Sequence, residues 1–302
     1  MHRPYSSAGA GPRILVFAPP LANEAEALIE QDVIVTVADA IGLSVVSSAA
    51  RHVGRPATVH LKVDTGMGRL GVLPADAVAM AGQIASGPHT TLGGVYTHFG
   101  SALERDFAPT RKQLATFESV LANLRASGVD PGLRHCANSA AMLRDPSTWL
   151  DAVRVGTLLY GQYPTSHLAR SLDLRDTWQF KTHIVSVRNV PVGTAVGYGA
   201  EFVTRRASRL AVLPIGYADG FTLAPMSLSA GLRGIARLLR GKAGSRQTVT
   251  VRGKQAPVVG RVAMQMCTVD ITDVEGVEIG DIVDVPMRRL SASARLPRIY
   301  EE

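Results

Sequence analysis

The first half of the chain alternates strand-like and helix-like segments, and this alternation restricts the fold more than any other feature. Short runs of apolar and β-branched residues are separated by amphipathic segments of helical length. The predicted strands are residues 13–17, 33–37, 59–64, 91–97, 133–135 and 152–155, and the predicted helices are residues 23–31, 39–52, 74–86, 110–127 and a segment from 139 onward. Strands and helices that alternate at this spacing predict a parallel sheet covered by helices.

Six strands are two fewer than a closed (β/α)8 barrel requires. The sequence therefore predicts an incomplete (β/α)8-type barrel over residues 1–171. From about residue 172 the alternation stops, and short strand candidates punctuated by glycines follow at residues 180–187, 209–214, 248–251, 257–262, 267–271 and 282–285. This pattern predicts a C-terminal all-β domain over residues 172–302.

Composition excludes several functional classes. The longest apolar runs are far shorter than the roughly 20 residues that span a bilayer, and the first twelve residues lack the apolar core of a signal peptide, so we expect a cytoplasmic protein with no membrane partner. Cys136 and Cys267 are too few for a disulfide framework, and no metal site is expected. The net charge of +7 raises the question of nucleic acid. Its densest arginine stretch, residues 229–246, lacks interleaved aromatic residues and is interpreted as a solvated helix.

The run TVHLKVDTGMGRLG, residues 58–71, combines a strand with a glycine-rich loop. Apolar residues alternate with His60, Lys62 and Asp64, which predicts one apolar and one polar strand face. The glycines then allow a tight turn, and Arg69 offers a fork of donors to an anionic oxygen. A structural ion pair before an ordinary loop is the alternative interpretation.

Further polar residues follow the later strands of the predicted barrel. His98 follows one strand, Ser139 begins a helix after the next, and Arg154 with Gly156 and Thr157 closes the last. In parallel barrels this edge forms the active site, and the loops after the last strands commonly bind phosphate. Taken singly, Ser139 fits an ordinary helix start and His98 a structural histidine; their shared edge favours a site.

Two glycine-rich loops stand out in the second domain. Tyr217 lies between glycines in PIGYADG, where its phenol could exchange a proton with a substrate carbon. The loop GRVAMQM, with Met264 at its centre, could expose a backbone amide. The alternatives are a packed or rim tyrosine and a simple hairpin corner.

Six motifs, HLKVDTGMGRLG, YTHF, NSAA, RVGTLLYG, IGYADG and GRVAM, stand in the order and near the spacing of one family. By these motifs the chain resembles the alanine racemases, pyridoxal 5'-phosphate (PLP) enzymes built from an α/β barrel and a β domain. The resemblance implies interconversion of L-alanine and D-alanine for peptidoglycan precursors, by a cytoplasmic homodimer with shared active sites. It covers the chain from about Arg13 to Tyr300.

The resemblance also implies a role for each candidate residue. Arg69 would contact the phenolic oxygen of PLP and the substrate, and Lys62 would be a carbamylated lysine that holds Arg69. The pyridine nitrogen would face Arg154, with His98 behind it. The remaining implied roles are phosphate binding by Ser139, Gly156 and Thr157, proton transfer by Tyr217 in the neighbouring subunit's barrel, and a contact of the Met264 amide with the substrate carboxylate.

One expected motif is absent from the sequence. In the resembled family a second base, the lysine that binds PLP covalently, lies in a VKANAYGHG-like motif after the first barrel strand. The lysines here are Lys62, Lys112, Lys181, Lys242 and Lys254, and none lies in such a motif. We therefore expect a truncated sequence whose product is inactive alone. A catalytically incomplete fragment, a non-catalytic partner subunit and a racemase of broader specificity remain open as alternatives.

Overall fold

The computed structural model describes residues 12–223, 247–287 and 289–300. The chain divides into two compact units, Met1–Asp176 and Thr177–Glu302. The helix predicted within residues 229–246 lies outside the described residues. Nowhere in the described residues is a helix both long and apolar enough to cross a membrane.

From residue 12 onward, the first unit is built on one parallel sheet whose six strands lie side by side in chain order. Its strands are β1 (Leu15–Val16), β2 (Ile34–Val37), β3 (Ala57–Lys62), β4 (Thr90–Tyr96), β5 (Leu133–Asn138) and β6 (Ala152–Arg154). The connecting helices are α1 (Ala22–Glu30), α2 (Ala40–Val53), α3 (Ala77–Ser86), α4 (Ala108–Ala126) and α5 (Ser139–Arg144). The prediction of an incomplete barrel of six strands is confirmed, with β1 and β6 at the two edges of the sheet.

Local chemistry sets the ends of α2. The Asp39 carboxylate Oδ1 accepts a hydrogen bond from the Gly42 N–H at 2.7 Å, so Asp39 caps the helix. Gly54, with φ of 78°, ends the helix in the left-handed conformation that favours glycine. Between these ends, Val46, Ala49 and Ala50 turn one face of α2 to the core.

Strand β3 is buried on both faces, so its predicted polar face is a buried one. Val59 and Leu61 are fully buried, and His60 and Lys62 are only 2% and 4% exposed. A parallel sheet is covered on both sides. The alternation of side chains was therefore predicted correctly, but the polar side chains point into the protein and need partners there.

The loop after β3 depends on a glycine at position 71. Gly71 has φ of +124°, and a Cβ built on it would lie 2.6 Å from the Asp64 nitrogen and 2.9 Å from the Val63 carbonyl carbon. These atoms belong to a backbone held by hydrogen bonds between Lys62 and Val72 and between Asp64 and Val72, each 2.9 Å long.

We expect Gly71→Ala to lower the free energy of unfolding of the first unit by about 3 kcal/mol, because positive φ and a backbone clash combine. Gly68→Ala in the same loop is the matched control. Its φ of +68° is also strained but its Cβ would meet nothing within 4 Å, so about 1 kcal/mol is expected. Denaturant unfolding followed by Trp149 fluorescence in a Trp178→Phe background measures both. Equal losses would contradict the clash.

In its described residues the second unit is a β domain, as predicted. Its strands there are β7 (Lys181–His183), β8 (Ser186–Val190), β9 (Ala195–Val196), β10 (Phe202–Val203), β11 (Ser208–Leu213), β12 (Thr248–Val251), β13 (Lys254–Val259), β14 (Cys267–Asp270) and β15 (Ile282–Asp284). Seven of them form one antiparallel sheet in the order β7-β15-β12-β13-β14-β11-β8, and β9 pairs with β10 in a small separate ribbon. The strand predicted at residues 180–187 is divided between β7 and β8, and β9 and β10 were not predicted.

Candidate active site

The predicted site residues of the first unit collect at the carboxyl ends of adjacent strands. Lys62 is the last residue of β3, and His98 lies two residues after the end of β4. Ser139 directly follows β5, and Arg154 ends β6. Because these strands run parallel and side by side, all four side chains lie together where the strands end, and 'this edge of the sheet' below means this row of carboxyl ends.

The Arg154 guanidinium is the centre of this edge. Three acceptors share the two N–H groups of its Nη2: the carbonyl oxygens of Thr97 at 2.7 Å and Cys136 at 3.1 Å, and His98 Nδ1 at 3.1 Å. Its Nη1 donates to His135 Nδ1 at 2.8 Å. Burial lowers the pKa of Arg154 to about 10, which still leaves it cationic at neutral pH. No carboxylate in the described residues forms an ion pair with it.

Lys62 is a second buried basic residue, and no carboxylate of the described residues is paired with it. Burial lowers the pKa of Lys62, and the positive charges of Arg69 and Arg154 lower it further. Its Nζ lies 5.2 Å from the centroid of the Tyr96 ring. Within the described part of the chain it forms no ion pair. The excess of positive charge around Lys62 makes this edge of the sheet a place for an anion.

Asp64 organises the loop that carries Arg69. Its Oδ1 accepts hydrogen bonds from the N–H groups of Gly66 at 2.9 Å and Met67 at 2.8 Å. Burial opposes ionisation, but backbone N–H groups of this loop outweigh it and lower the pKa of Asp64. Asp64 is thus bound to backbone, and the structural ion pair considered as an alternative is not seen among the described residues.

A cluster of polar groups follows the ends of β5 and β6. The Gly156 N–H donates to Ser139 Oγ at 2.9 Å, which leaves the Ser139 hydroxyl proton free to bond an anion. Asn138, not Ser139, caps α5 by accepting from the Ala141 N–H at 3.0 Å. Thr157 Oγ1 is buried with no hydrogen-bond partner in the described residues. The hydroxyls of Ser139 and Thr157 can both donate to phosphate oxygens, and that of Thr157 has no other partner in the described residues.

The two candidate loops of the second unit are joined through backbone hydrogen bonds. The Tyr217 N–H donates to the Ala263 carbonyl at 3.1 Å, and the Ala218 N–H donates to the Met264 carbonyl at 3.0 Å. Asp219 Oδ2 accepts from the Gly216 N–H at 2.9 Å and closes the turn. The side chains of Tyr217 and Met264 are 45% and 56% exposed. Both loops therefore present their candidate groups at one surface of this unit.

Two histidines that received no role from the sequence extend the Arg154 network. His135 Nε2 lies 2.9 Å from His60 Nδ1, and both side chains are 2% exposed. Burial first, and nearby arginines second, lower the pKa of His60 to about 4 and that of His135 to about 3. The sequence signal that could have found them is their position: each is a polar residue whose side chain points inward from a buried parallel strand.

Comparison with known proteins matches both units. The family profile described as "Alanine racemase, N-terminal domain" matches residues 3–164, and that described as "Alanine racemase, C-terminal domain" matches residues 177–294. The chain belongs to the alanine racemase family. The alanine racemase of Desulfovibrio desulfuricans is 36% identical over 308 residues, which cover 96% of this chain and 78% of that protein. "Alanine racemase 2" of Caldanaerobacter subterraneus is 38% identical over 90% of this chain, which spans 66% of that relative.

Solved alanine racemase structures share the fold. The biosynthetic alanine racemase of Pseudomonas aeruginosa superposes with a TM-score of 0.78 at 30% identity, covering 97% of this chain and 80% of that one. The enzyme of Streptomyces lavendulae gives a TM-score of 0.77 at 34% identity, with 90% of this chain and 67% of that one covered. The resemblance recognised from six short motifs is confirmed over both units.

The buried histidines give this alanine racemase family member a pH-dependent stability. Because their folded pKa values lie below the usual 6.5, the unfolded chain binds more protons between pH 6.5 and pH 4, and the free energy of unfolding falls as the pH falls. We expect a loss of about 2 kcal/mol for each of His60 and His135 between pH 7 and pH 5. Denaturant midpoints followed by Trp149 measure it. A flat profile above pH 5 would contradict neutral buried imidazoles.

Proposed function

We propose that this chain supplies the PLP-binding and substrate-binding residues of an alanine racemase, an enzyme that interconverts L-alanine and D-alanine. One observation carries the proposal: in the described residues, buried Arg154 and Lys62 have no carboxylate partner, and they lie on the sheet edge that also holds the Thr157 hydroxyl, which has no hydrogen-bond partner there. PLP would supply an acceptor for two of these groups: its ring nitrogen for Arg154 and its phosphate oxygens for Thr157. The names of the relatives point to the same reaction.

The cofactor would be held by residues of the first unit. Ser139 and Thr157 would donate hydroxyls to its phosphate beside the Gly156 amide, and Arg154, supported by His98, would donate to its ring nitrogen. Arg69 would bind its phenolic oxygen. PLP, when bound, withdraws electrons from the substrate α-carbon and so weakens the C–H bond there.

Residues of the second unit would handle the substrate. The Met264 N–H would donate to the substrate carboxylate, and the Tyr217 phenol would move a proton to or from one face of the α-carbon. We include in the proposal a cytoplasmic homodimer in which Tyr217 serves the neighbouring subunit's barrel. Exposure of Tyr217 and Met264 on one surface supports this arrangement.

Lys62 is proposed to carry a carbamate. Carbamylation requires a neutral amine, whose nitrogen attacks CO₂ and then loses a proton. The lowered pKa of Lys62 increases the neutral fraction, and the negative carbamate would offset the charges of Arg69 and Arg154. Mass spectrometry of the native protein in bicarbonate, before and after acidification, tests this modification.

The lysines of the sequence favour a second candidate role beside the first. Lys62 has its own role, Lys112 lies in α4, and Lys181 and Lys254 lie in β7 and β13, while Lys242 lies outside the described residues. We propose that the lysine which binds PLP covalently comes from outside this sequence, so that the chain binds PLP without racemising alanine, as a partner subunit would.

An activity assay on two proteins tests both roles. We expect the 302-residue chain with PLP and L-alanine to form no D-alanine, as measured with D-amino-acid oxidase. A chimera in which the first two βα units of a family member, with their lysine, precede Arg13 is expected to be active. If the chain alone forms D-alanine and still does so after Lys62→Ala, the proposal that the covalent lysine comes from outside this sequence is wrong. An inactive but folded chimera that binds PLP would count against the racemase.

Cofactor binding by the chain alone is expected to depend on Ser139. Ser139→Ala removes one hydroxyl from a charged ligand, which costs about tenfold in PLP affinity. Ser119→Ala, an exposed helical serine bonded to the Ala115 carbonyl, is the control. Titration of PLP absorbance and protein fluorescence gives both dissociation constants. Equal affinities would remove Ser139 from the phosphate site.

A further inference from the structure

A row of buried hydrogen bonds leads from Arg154 into the core of the first unit. Arg154 Nη1 lies 2.8 Å from His135 Nδ1, and His135 Nε2 lies 2.9 Å from His60 Nδ1. The row starts at the end of β6 and crosses β5 to β3. Of its three members, the family resemblance gives a role to Arg154 alone.

The chemistry of arginine fixes the protons along this row. A guanidinium can only donate, so His135 Nδ1 must be the bare acceptor nitrogen. The proton of neutral His135 then sits on Nε2 and is donated to His60 Nδ1, which must also be bare. His60 consequently carries its own proton on Nε2. Each hydrogen bond determines the tautomer of the next ring.

The neighbouring strand is shaped around the His60 ring. A Cβ on Gly94 of β4 would lie 2.7 Å from His60 Cε1, 2.8 Å from Nε2 and 2.6 Å from the Leu133 carbonyl oxygen. The register between β3 and β4 also shifts between Val59 and His60. A glycine inside a strand weakens it and often marks a close approach. Here the close approach is that of the imidazole.

His135 is held equally firmly from its side. The Tyr96 ring stacks on it with centroids 4.8 Å apart and planes 5° from parallel. The Tyr96 hydroxyl is in turn hydrogen-bonded to Thr36 Oγ1 at 2.9 Å. The stack restricts tilting of the His135 ring, so the orientation of the imidazole still depends on its tautomer and on ring flips. The His60 acceptor opposes both.

We propose that His60 is a positioning residue which, through His135, holds the Arg154 guanidinium in place for its ligand. A carboxylate in this place would cancel the positive charge of Arg154. A neutral imidazole holds the guanidinium and leaves that charge in place. Arg154 thus keeps its full charge for the ring nitrogen of PLP, and in this respect the inference rests on the proposed function. The hydrogen-bond row itself is a property of the chain with or without cofactor.

Nuclear magnetic resonance of the full chain with ¹⁵N-histidine tests the row directly. We expect both His60 and His135 to be neutral with the proton on Nε2, and we expect the Arg154 guanidinium N–H signals to exchange slowly with water. A proton on His135 Nδ1 would overturn the inference. Because no cofactor is added, this result stands even if the chain proves not to bind PLP.

Substitutions separate positioning from packing. His60→Leu removes the acceptor and is expected to speed exchange of the Arg154 N–H signals and weaken PLP binding about tenfold. His60→Asn restores an acceptor near the Nδ1 position and should keep both properties within about twofold. Thr90→Val, which deletes another buried hydrogen bond of β4 to the Ile84 carbonyl, is the control.

Comparison of the variants decides between the two roles. Thr90→Val is expected to lower the unfolding midpoint while leaving the Arg154 signals and PLP affinity unchanged. If His60→Leu affects only the unfolding midpoint, as Thr90→Val does, His60 is structural and the proposal fails. If His60→Leu does not fold, His60→Asn and the tautomers of the unsubstituted chain still decide. A wild-type chain with the expected tautomers but no PLP affinity refutes the proposed function and leaves the row intact.

Discussion

Tyr217→Phe is expected to lower the racemisation rate of the active chimera by about 10³-fold, because it removes the hydroxyl that would exchange a proton with the substrate. The ring itself remains, so packing is preserved. Tyr217 is half exposed, and its loop is held by backbone hydrogen bonds that do not involve the phenol. The loss should therefore appear in the rate and not in PLP affinity or stability.

Isotope exchange makes this test specific. In D₂O the two directions of the reaction place deuterium on opposite faces of the α-carbon, and loss of one base should affect the two directions unequally. Tyr198→Phe, another exposed tyrosine of the second unit, is the control and should change nothing. Near-normal turnover of Tyr217→Phe would remove Tyr217 from the reaction and leave PLP binding to the first unit unaffected.

The sequence predicts the layout of the first unit well because the period-2 pattern of a strand shows which side chains share a face. The alternation through β3 places His60 and Lys62 on one face, which the structure confirms. Periodicity shows which residues share a face but not how deeply that face is buried, and the polar face of β3 is almost fully buried. For the same reason the sequence assigned no role to His135. It lies on a short strand close to Asn138 and Ser139, and its contact with Arg154 depends on how the strands are arranged in the sheet.

Short and interrupted strands explain the differences in the second unit. β9 and β10 contain two residues each, too few for a period-2 pattern. The apolar run at residues 180–187 looks continuous, but Ile184 is fully buried between β7, which pairs with β15, and β8, which pairs with β11. One apolar run thus serves two different partners, and local pattern carries no information about such a change.

Contacts between the loops of the candidate site cannot be predicted from the residue pattern of either loop alone. The sequence singled out PIGYADG and GRVAMQM separately, each with an ordinary turn as its alternative. Gly216 is the residue that joins them, because the backbone of one loop passes directly over the other. Its φ of −149° is accessible to every residue type, so nothing in its own conformation demands glycine, and the demand comes from the opposing loop.

Gly216→Ala is therefore expected to separate the two loops. The added Cβ would lie 2.2 Å from the carbonyl oxygens of both Ala263 and Met264, and a backbone contact of this kind cannot be relieved by a side-chain rotation. The hydrogen bonds from the N–H groups of Tyr217 and Ala218 to the same two carbonyls would break. We expect a loss of about 3 kcal/mol in the stability of the second unit and a loss of activity of at least about 10²-fold in the chimera.

The control adds the same methyl where space exists. Gly82 lies in α3, where its Cβ would meet nothing within 4 Å, so Gly82→Ala should leave stability unchanged or raise it by up to about 1 kcal/mol. Unfolding of Gly216→Ala is followed by Trp178 fluorescence in a Trp149→Phe background, which reports on the second unit. PLP affinity should be unchanged, because the residues proposed to hold the cofactor lie in the first unit. Full activity of Gly216→Ala would show that Tyr217 and Met264 need not be held together, and would remove the paired loops from the proposed site.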